Sequence, residues 1–154
     1  MQQGWDAWGT SWAWSAVLIA ATVAIHATGV VLLAESIRRI RQDGKRVAFL
    51  RTTSGAISLI VGVALSLAFL FVVESMLWAA VYLWIGALRT PAEAALYSVG
   101  SMTTRGVSGL ALEARWAMMG AVEAGNGILL FGMSTAFLFS VMQWLWLRDP
   151  ALDR

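Results

Sequence analysis

Seven consecutive residues, Thr103-Thr104-Arg105-Gly106-Val107-Ser108-Gly109, concentrate the groups of this chain that could handle an ion. Hydroxyls and glycines read as non-helical backbone able to line a polar path, and Arg105 sets a permanent positive charge in it. Three further places carry chemistry. Glu74 is a carboxylate within a deeply apolar run, between Phe69–Val73 and Met76–Trp78, suited to tying one helix to another or to Arg105. Glu123 and Asn126, three apart, share one helix face. They read either as residues facing an aqueous cavity or as one side of an interhelical hydrogen bond. His26, the only histidine, reads as a packed or hydrogen-bonded residue rather than a pH sensor. Without cysteine there is no disulfide framework and no thiolate metal site, and one histidine does not build a metal centre. Gly100, Gly106 and Gly109 form no nucleotide motif, and no Ser/His/Asp arrangement exists. The expectation is therefore no enzyme, no cofactor beyond monovalent ions, and no nucleic-acid partner.

The elements that position these residues belong to a membrane. Of 154 residues, 59% are hydrophobic and 13% charged, about half the charge of a soluble domain. Mean hydropathy is +0.71. The length suits one membrane domain of three or four spans at about 20 residues each. The segment before the first apolar run, Met1 to Thr10, has no Lys or Arg, so that run reads as a retained span and not an export signal.

The first span is expected over about Trp12–Ile37. Arg38, Arg39, Arg41, Lys45, Arg46 and Arg51 follow it, and these are six of the 11 basic residues. The positive-inside rule puts this loop in the cytoplasm and the N-terminus outside. Gly44 and its polar neighbours are expected to break the helix there. A second run, Ser54–Leu88, returns the chain outside, and a third, Trp116–Leu147, ends inside before Arg148 and Arg154. Trp5, Trp8, Trp12 and Trp14, then Trp78, Tyr82 and Trp84, are expected to form aromatic belts at the outer interface, with Trp144 and Trp146 at the inner one.

Between the second and third runs, Thr90-Pro91-Ala92-Glu93 is a strong helix start, with Thr90 as N-cap, proline at the first helical position and Glu93 three residues after the cap. The helix Pro91–Met102 has about 12 residues, a re-entrant length rather than a spanning one. A long helix, a short re-entrant helix, a Thr/Gly loop and another long helix make a pore-loop order.

On these residues the chain resembles the potassium-channel family. Ala95-Leu96-Tyr97-Ser98-Val99-Gly100-Ser101-Met102-Thr103-Thr104 is similar to its pore helix, which closes on two threonines. Gly109–Trp116 resembles the outer linker. The run from Gly125 to Phe139, with Gly127 and Gly132, resembles the glycine-bearing inner helix of small bacterial channel-domain proteins, which also carry an extra N-terminal span and an arginine-rich loop. Over about Ser54–Trp146 the resemblance implies a two-helix pore module. The implied fold is all-α: three transmembrane helices plus a re-entrant pore helix and filter-like loop, in a homotetramer. The implied segments are an N-terminal span and basic loop (1–53), the pore-like module (54–147) and a cytoplasmic tail (148–154).

The filter departs from the family pattern. A TVGYG-type loop replaces an ion's hydration shell with carbonyls, but here Arg105, Val107 and Ser108 occupy the positions of an aliphatic, an aromatic and the second glycine. If Arg105 packs behind the loop it needs a partner, for which Glu74, Glu93 and Glu113 are candidates. If it faces the axis, four positive charges oppose cation entry. Along the third span, Gly120, Gly125, Gly127 and Gly132 read as hinge or close-packing positions, and Glu123 and Asn126 as pore-lining candidates. The expected function is ion transport by a channel-like tetramer with altered selectivity in the cell (inner) membrane. The alternatives are a non-conducting homologue that assembles with other channel subunits or lipids, and an anion-permeable pore.

Overall fold

A computed structural model describes residues 2–106 and 109–146, with side chains described from residue 9 onward. Every regular element among them is helical: α1 (Gln2–Gln42), α2 (Gly44–Leu50), α3 (Thr53–Trp84), α4 (Pro91–Met102) and α5 (Ala117–Trp146). Three stretches are long and apolar enough to cross a membrane: Gly9–Gln42, Thr53–Trp84 and Ala117–Trp146, with mean hydropathies of 2.3, 2.8 and 1.7. The chain is thus all-helical and of multi-pass membrane type. Its side-chain distribution agrees. Leu65, Phe69 and Phe131 are each at least 65% exposed, while Ser11, Ser15, Thr22, His26, Glu74 and Glu123 are fully buried. Hydrocarbon solvent favours that inversion, since apolar groups lose nothing against lipid and polar groups must find partners inside.

The helices contribute to two compact units, Met1–His26 with Phe71–Phe131, and Ala27–Leu70 with Gly132–Arg154. In the second, Val63, Leu67 and Val141 form a small core with Val30, Leu33, Ile37, Leu59, Phe137 and Leu138 against them. Arg41 lies over the Trp144 ring at 5.0 Å. Glu35 pairs with Arg38 at 2.7 Å and Arg39 at 3.2 Å. These exposed pairs on one helix contribute little to stability.

The break after α1 falls on Asp43, and Gly44 instead opens α2. Asp43 is extended, and its carboxylate accepts from the Lys45 and Arg46 backbone N–H groups at 3.0 and 3.3 Å. A short side-chain acceptor satisfies the free donors of a new helix better than glycine can. The arginine-rich loop therefore contains about two helical turns that hydropathy does not reveal. Leu147 and Arg148–Arg154 lie outside the described residues.

The first unit holds α4. Thr90 accepts from Glu93 N–H while the Glu93 side chain accepts from Thr90 N–H, each at 3.2 Å, a complete capping box with Pro91 behind it. Thr90→Ala is expected to cost about 1 kcal/mol, read as a lower thermal midpoint in detergent with the helical circular dichroism of the folded state unchanged.

Two of the aromatics assigned to the interface belong to the core instead. Trp78 and Tyr82 are fully buried, whereas Trp84 is 76% exposed and meets Trp14 edge-to-face at 5.4 Å. Tyr82 turns inward because it meets Tyr97 of α4 edge-to-face at 5.5 Å and donates its hydroxyl to Glu123 of α5. The side chains of Trp5 and Trp8 lie outside the described ones.

Candidate functional site

The first unit is built around hydrogen-bonded side chains inside an apolar shell. On α1, Ser11, Ser15, Leu18, Thr22 and His26 recur every three or four residues and form one buried stripe. Ser15 and Thr22 return their hydroxyls to carbonyls one turn earlier, at Ser11 and Leu18, 2.8 Å each. Thr22 Oγ1 also accepts from Asn126 Nδ2 of α5 at 2.9 Å. One turn further on, His26 Nδ1 meets Glu74 Oε1 of α3 at 2.9 Å. At the other end of the stripe, the Ser11 hydroxyl donates to the Arg115 carbonyl oxygen. Polar contacts thus hold α1 against both α3 and α5.

A second cluster seats α4. Glu123, fully buried, accepts the Tyr82 hydroxyl on Oε2 at 2.8 Å, and its Oε1 meets Ser98 Oγ within hydrogen-bonding distance. Ser98 Oγ also lies 2.6 Å from the Ser75 carbonyl oxygen. One turn along α4, Ser101 donates to the Gly120 carbonyl oxygen at 2.8 Å. Gly120, Glu123 and Gly127 share one face of α5, spaced three and four apart. The Tyr97 hydroxyl rests on Gly120, and the Met102 carbonyl oxygen rests on Gly127 so closely that a Cβ would overlap it. Gly127 is thus a point of contact with α4. Gly125 and Gly132 have open space where a Cβ would sit.

These contacts fix how far α4 penetrates. Met102 lies beside Gly127, ten residues into α5 and so about 15 Å from its start. It also accepts from Ser75 through Sδ at 3.2 Å, nine residues and about 14 Å before the end of α3. The chain enters along α4 to that level, turns at 103–106, and starts α5 from the end at which α4 entered. That course is re-entrant.

The turn begins at Thr103, which caps α4. Thr104 adopts φ 59° and Gly106 φ 67°, and the Gly106 N–H donates to the Gly100 carbonyl oxygen at 2.9 Å. Thr104 is the only non-glycine residue with positive φ among the described residues, in a region that disfavours a β-branched side chain. Thr103, Thr104, Arg105, Gly106 and Gly109 are all exposed. Val107 and Ser108, two of the three filter departures, lie outside the described residues.

None of the three carboxylates weighed as partners pairs with Arg105. Glu74 is held by His26, Glu93 caps α4, and Glu113 pairs with Arg115 at 2.7 Å. Glu93 cannot serve because it sits at the opposite end of α4 from the loop, and Glu74 because its face of α3 points at α1. Glu123 and Asn126 make interhelical hydrogen bonds, and they are 0% and 3% exposed in the chain.

The sequence reading missed Ser98, Tyr82 and Thr22 as members of these clusters. For Thr22 a signal existed in the repeat Ser11-Ser15-Leu18-Thr22-His26, because small polar residues at helical spacing within a lipid-facing run point to a buried face. No comparable pattern marks Ser98, whose importance depends on Glu123, 25 residues away.

Fold and clusters together define a multi-pass membrane protein with a polar interior and a short re-entrant helix. Compared with protein-family models, curated proteins and solved structures, the chain matches none. The likeness to potassium channels therefore rests on the residues from Ser54 to Trp146 and has no family-level support.

Proposed function

We propose that the chain is one subunit of a potassium-channel-like homotetrameric pore that transports ions with altered selectivity, its N-terminus outside and its C-terminus cytoplasmic. The observation that carries this reading is the re-entrant course of α4, seated on Glu123 about 9 Å and on Gly127 about 15 Å in from the start of α5, with exposed backbone following it. A membrane protein has little reason to bury a short helix and bring exposed, positive-φ backbone back beside it unless that backbone lines a water-filled path. One such loop cannot enclose a path, whereas copies related by closed rotational symmetry can. Arg105 in place of an aliphatic residue is what sets its selectivity apart from that of a TVGYG loop.

The test is purification of the full chain, a mass measurement of the oligomer in detergent, and ion flux after reconstitution into liposomes. A tetramer that dissipates potassium, sodium or chloride gradients is the expected result. A folded tetramer with no flux of any ion would leave a non-conducting structural role in the membrane.

A further inference from the structure

Arg105 is a charge to which no described residue supplies a counter-charge. Its guanidinium carries five donors in a rigid fork. It is exposed in the chain, and no ion pair to it forms among the described residues. The described carboxylates are engaged elsewhere: Glu35 by Arg38 and Arg39, Asp43 by Arg46, Glu74 by His26, Glu113 by Arg115, Glu93 in the capping box and Glu123 by Tyr82 and Ser98.

Depth sharpens the problem. The Gly106 N–H is bonded to Gly100 in the last turn of α4. Arg105 therefore starts from the level reached by Met102, about 15 Å inward from the start of α5. The 30 residues of α5 extend about 45 Å, the thickness of a bilayer with its headgroups. With the two ends of α5 at the two headgroup layers, that level falls inside the hydrocarbon zone and away from the lipid phosphates. A guanidinium in such a place faces protein or water, because hydrocarbon does not solvate it.

We propose that Arg105, with the adjoining Thr104 hydroxyl, forms a site for small inorganic anions such as chloride, and that its copies around the axis make the pore pass anions in preference to cations. The inference rests on the pore reading above. Rings of arginine or lysine favour anions because each added positive charge raises the potential along the path, and a bound anion relieves the repulsion among the guanidinium groups. The Thr104 side chain is exposed and makes no hydrogen bond among the described residues, so it is available as a second donor. Thr103 differs, since its hydroxyl donates to the Val99 carbonyl oxygen at 2.7 Å.

The experiment uses the reconstituted full chain in a potassium chloride gradient. It reads the sign of the dilution potential and the rate of chloride efflux for the wild type, Arg105→Ala, Arg105→Lys and, as a control, the exposed Arg115→Ala. The expected result is a potential of anionic sign, chloride efflux reduced about tenfold or more in Arg105→Ala, retained in part in Arg105→Lys and unchanged in Arg115→Ala. A cationic sign, or chloride efflux indifferent to Arg105→Ala in a variant that elutes as the wild-type oligomer, overturns the anion site while leaving a pore. If no ion moves, a structure of the oligomer in sodium bromide decides. Bromide at Arg105 supports the anion site and overturns only conduction. No bromide, or a carboxylate of a second copy on Arg105, overturns the anion site together with the pore.

Discussion

Gly127→Val is expected to unseat α4 and prevent recovery of folded, monodisperse protein. Any Cβ at this position overlaps the Met102 carbonyl oxygen and approaches its carbonyl carbon and Cα, so the obstacle is backbone and not a side chain that could swing away. Relief requires α4 to withdraw from α5, and withdrawal strains the Ser98–Glu123 and Ser101–Gly120 hydrogen bonds on the same face. Overpacking a well-filled interior costs about 1–3 kcal/mol where side chains can adjust, and this site belongs at or above the upper end. Gly125→Val, two residues earlier and with open space around it, is the matched control and should behave like the wild type apart from the small propensity change. Size-exclusion profiles and thermal midpoints in detergent measure both. Equal behaviour of the two variants would show that α4 does not rest on Gly127.

The second large effect is expected at Glu123, where two substitutions should diverge. Glu123→Ala removes the acceptor of the buried Tyr82 hydroxyl and the partner of Ser98, and opens a cavity where α3, α4 and α5 meet. Losing a buried acceptor and the packed atoms together is expected to cost about 2–4 kcal/mol. Glu123→Gln should cost far less, for a reason that comes from counting protons. Ser98 Oγ lies within hydrogen-bonding distance of both the Ser75 carbonyl oxygen and Glu123 Oε1, yet a hydroxyl has one proton to give. Tyr82 gives a second hydroxyl proton, so three close contacts share two hydroxyl protons, and a side chain that can donate one more fits the cluster best. Glutamine reproduces that arrangement, its amide N–H directed to Ser98 and its carbonyl oxygen to Tyr82. Thermal midpoints of the two variants decide. A glutamine variant as unstable as alanine would mean that the carboxyl is ionised and that Ser98 donates to it alone.

The three spanning helices and the short fourth were legible in the sequence because their causes are local. Runs of apolar residues long enough to cross a bilayer specify α1, α3 and α5 almost by composition, since an unpaired backbone inside hydrocarbon is too costly for any other form. The start of α4 was equally legible, because Thr90, Pro91 and Glu93 satisfy its first donors from within four residues. The break at Asp43 and Gly44 was legible too, but which of the two caps the next helix was not, because that depends on the Asp43 carboxylate reaching the first N–H groups of α2.

The tertiary structure alone decided which polar residues meet. Tyr82, Ser98 and Glu123 come from three helices, and their contact depends on the rotation and depth of each, which uniformly apolar helix surfaces leave unspecified. The same registry buries Trp78 and Tyr82, whose types suggest an interface, and gives Glu74 to His26 on α1 instead of to the loop. The sequence by itself determined that Arg105 interrupts a loop of threonines and glycines. The fold decided that this charge is exposed, deep and without a partner among the described residues, because each carboxylate that could have answered it is held by a nearer group.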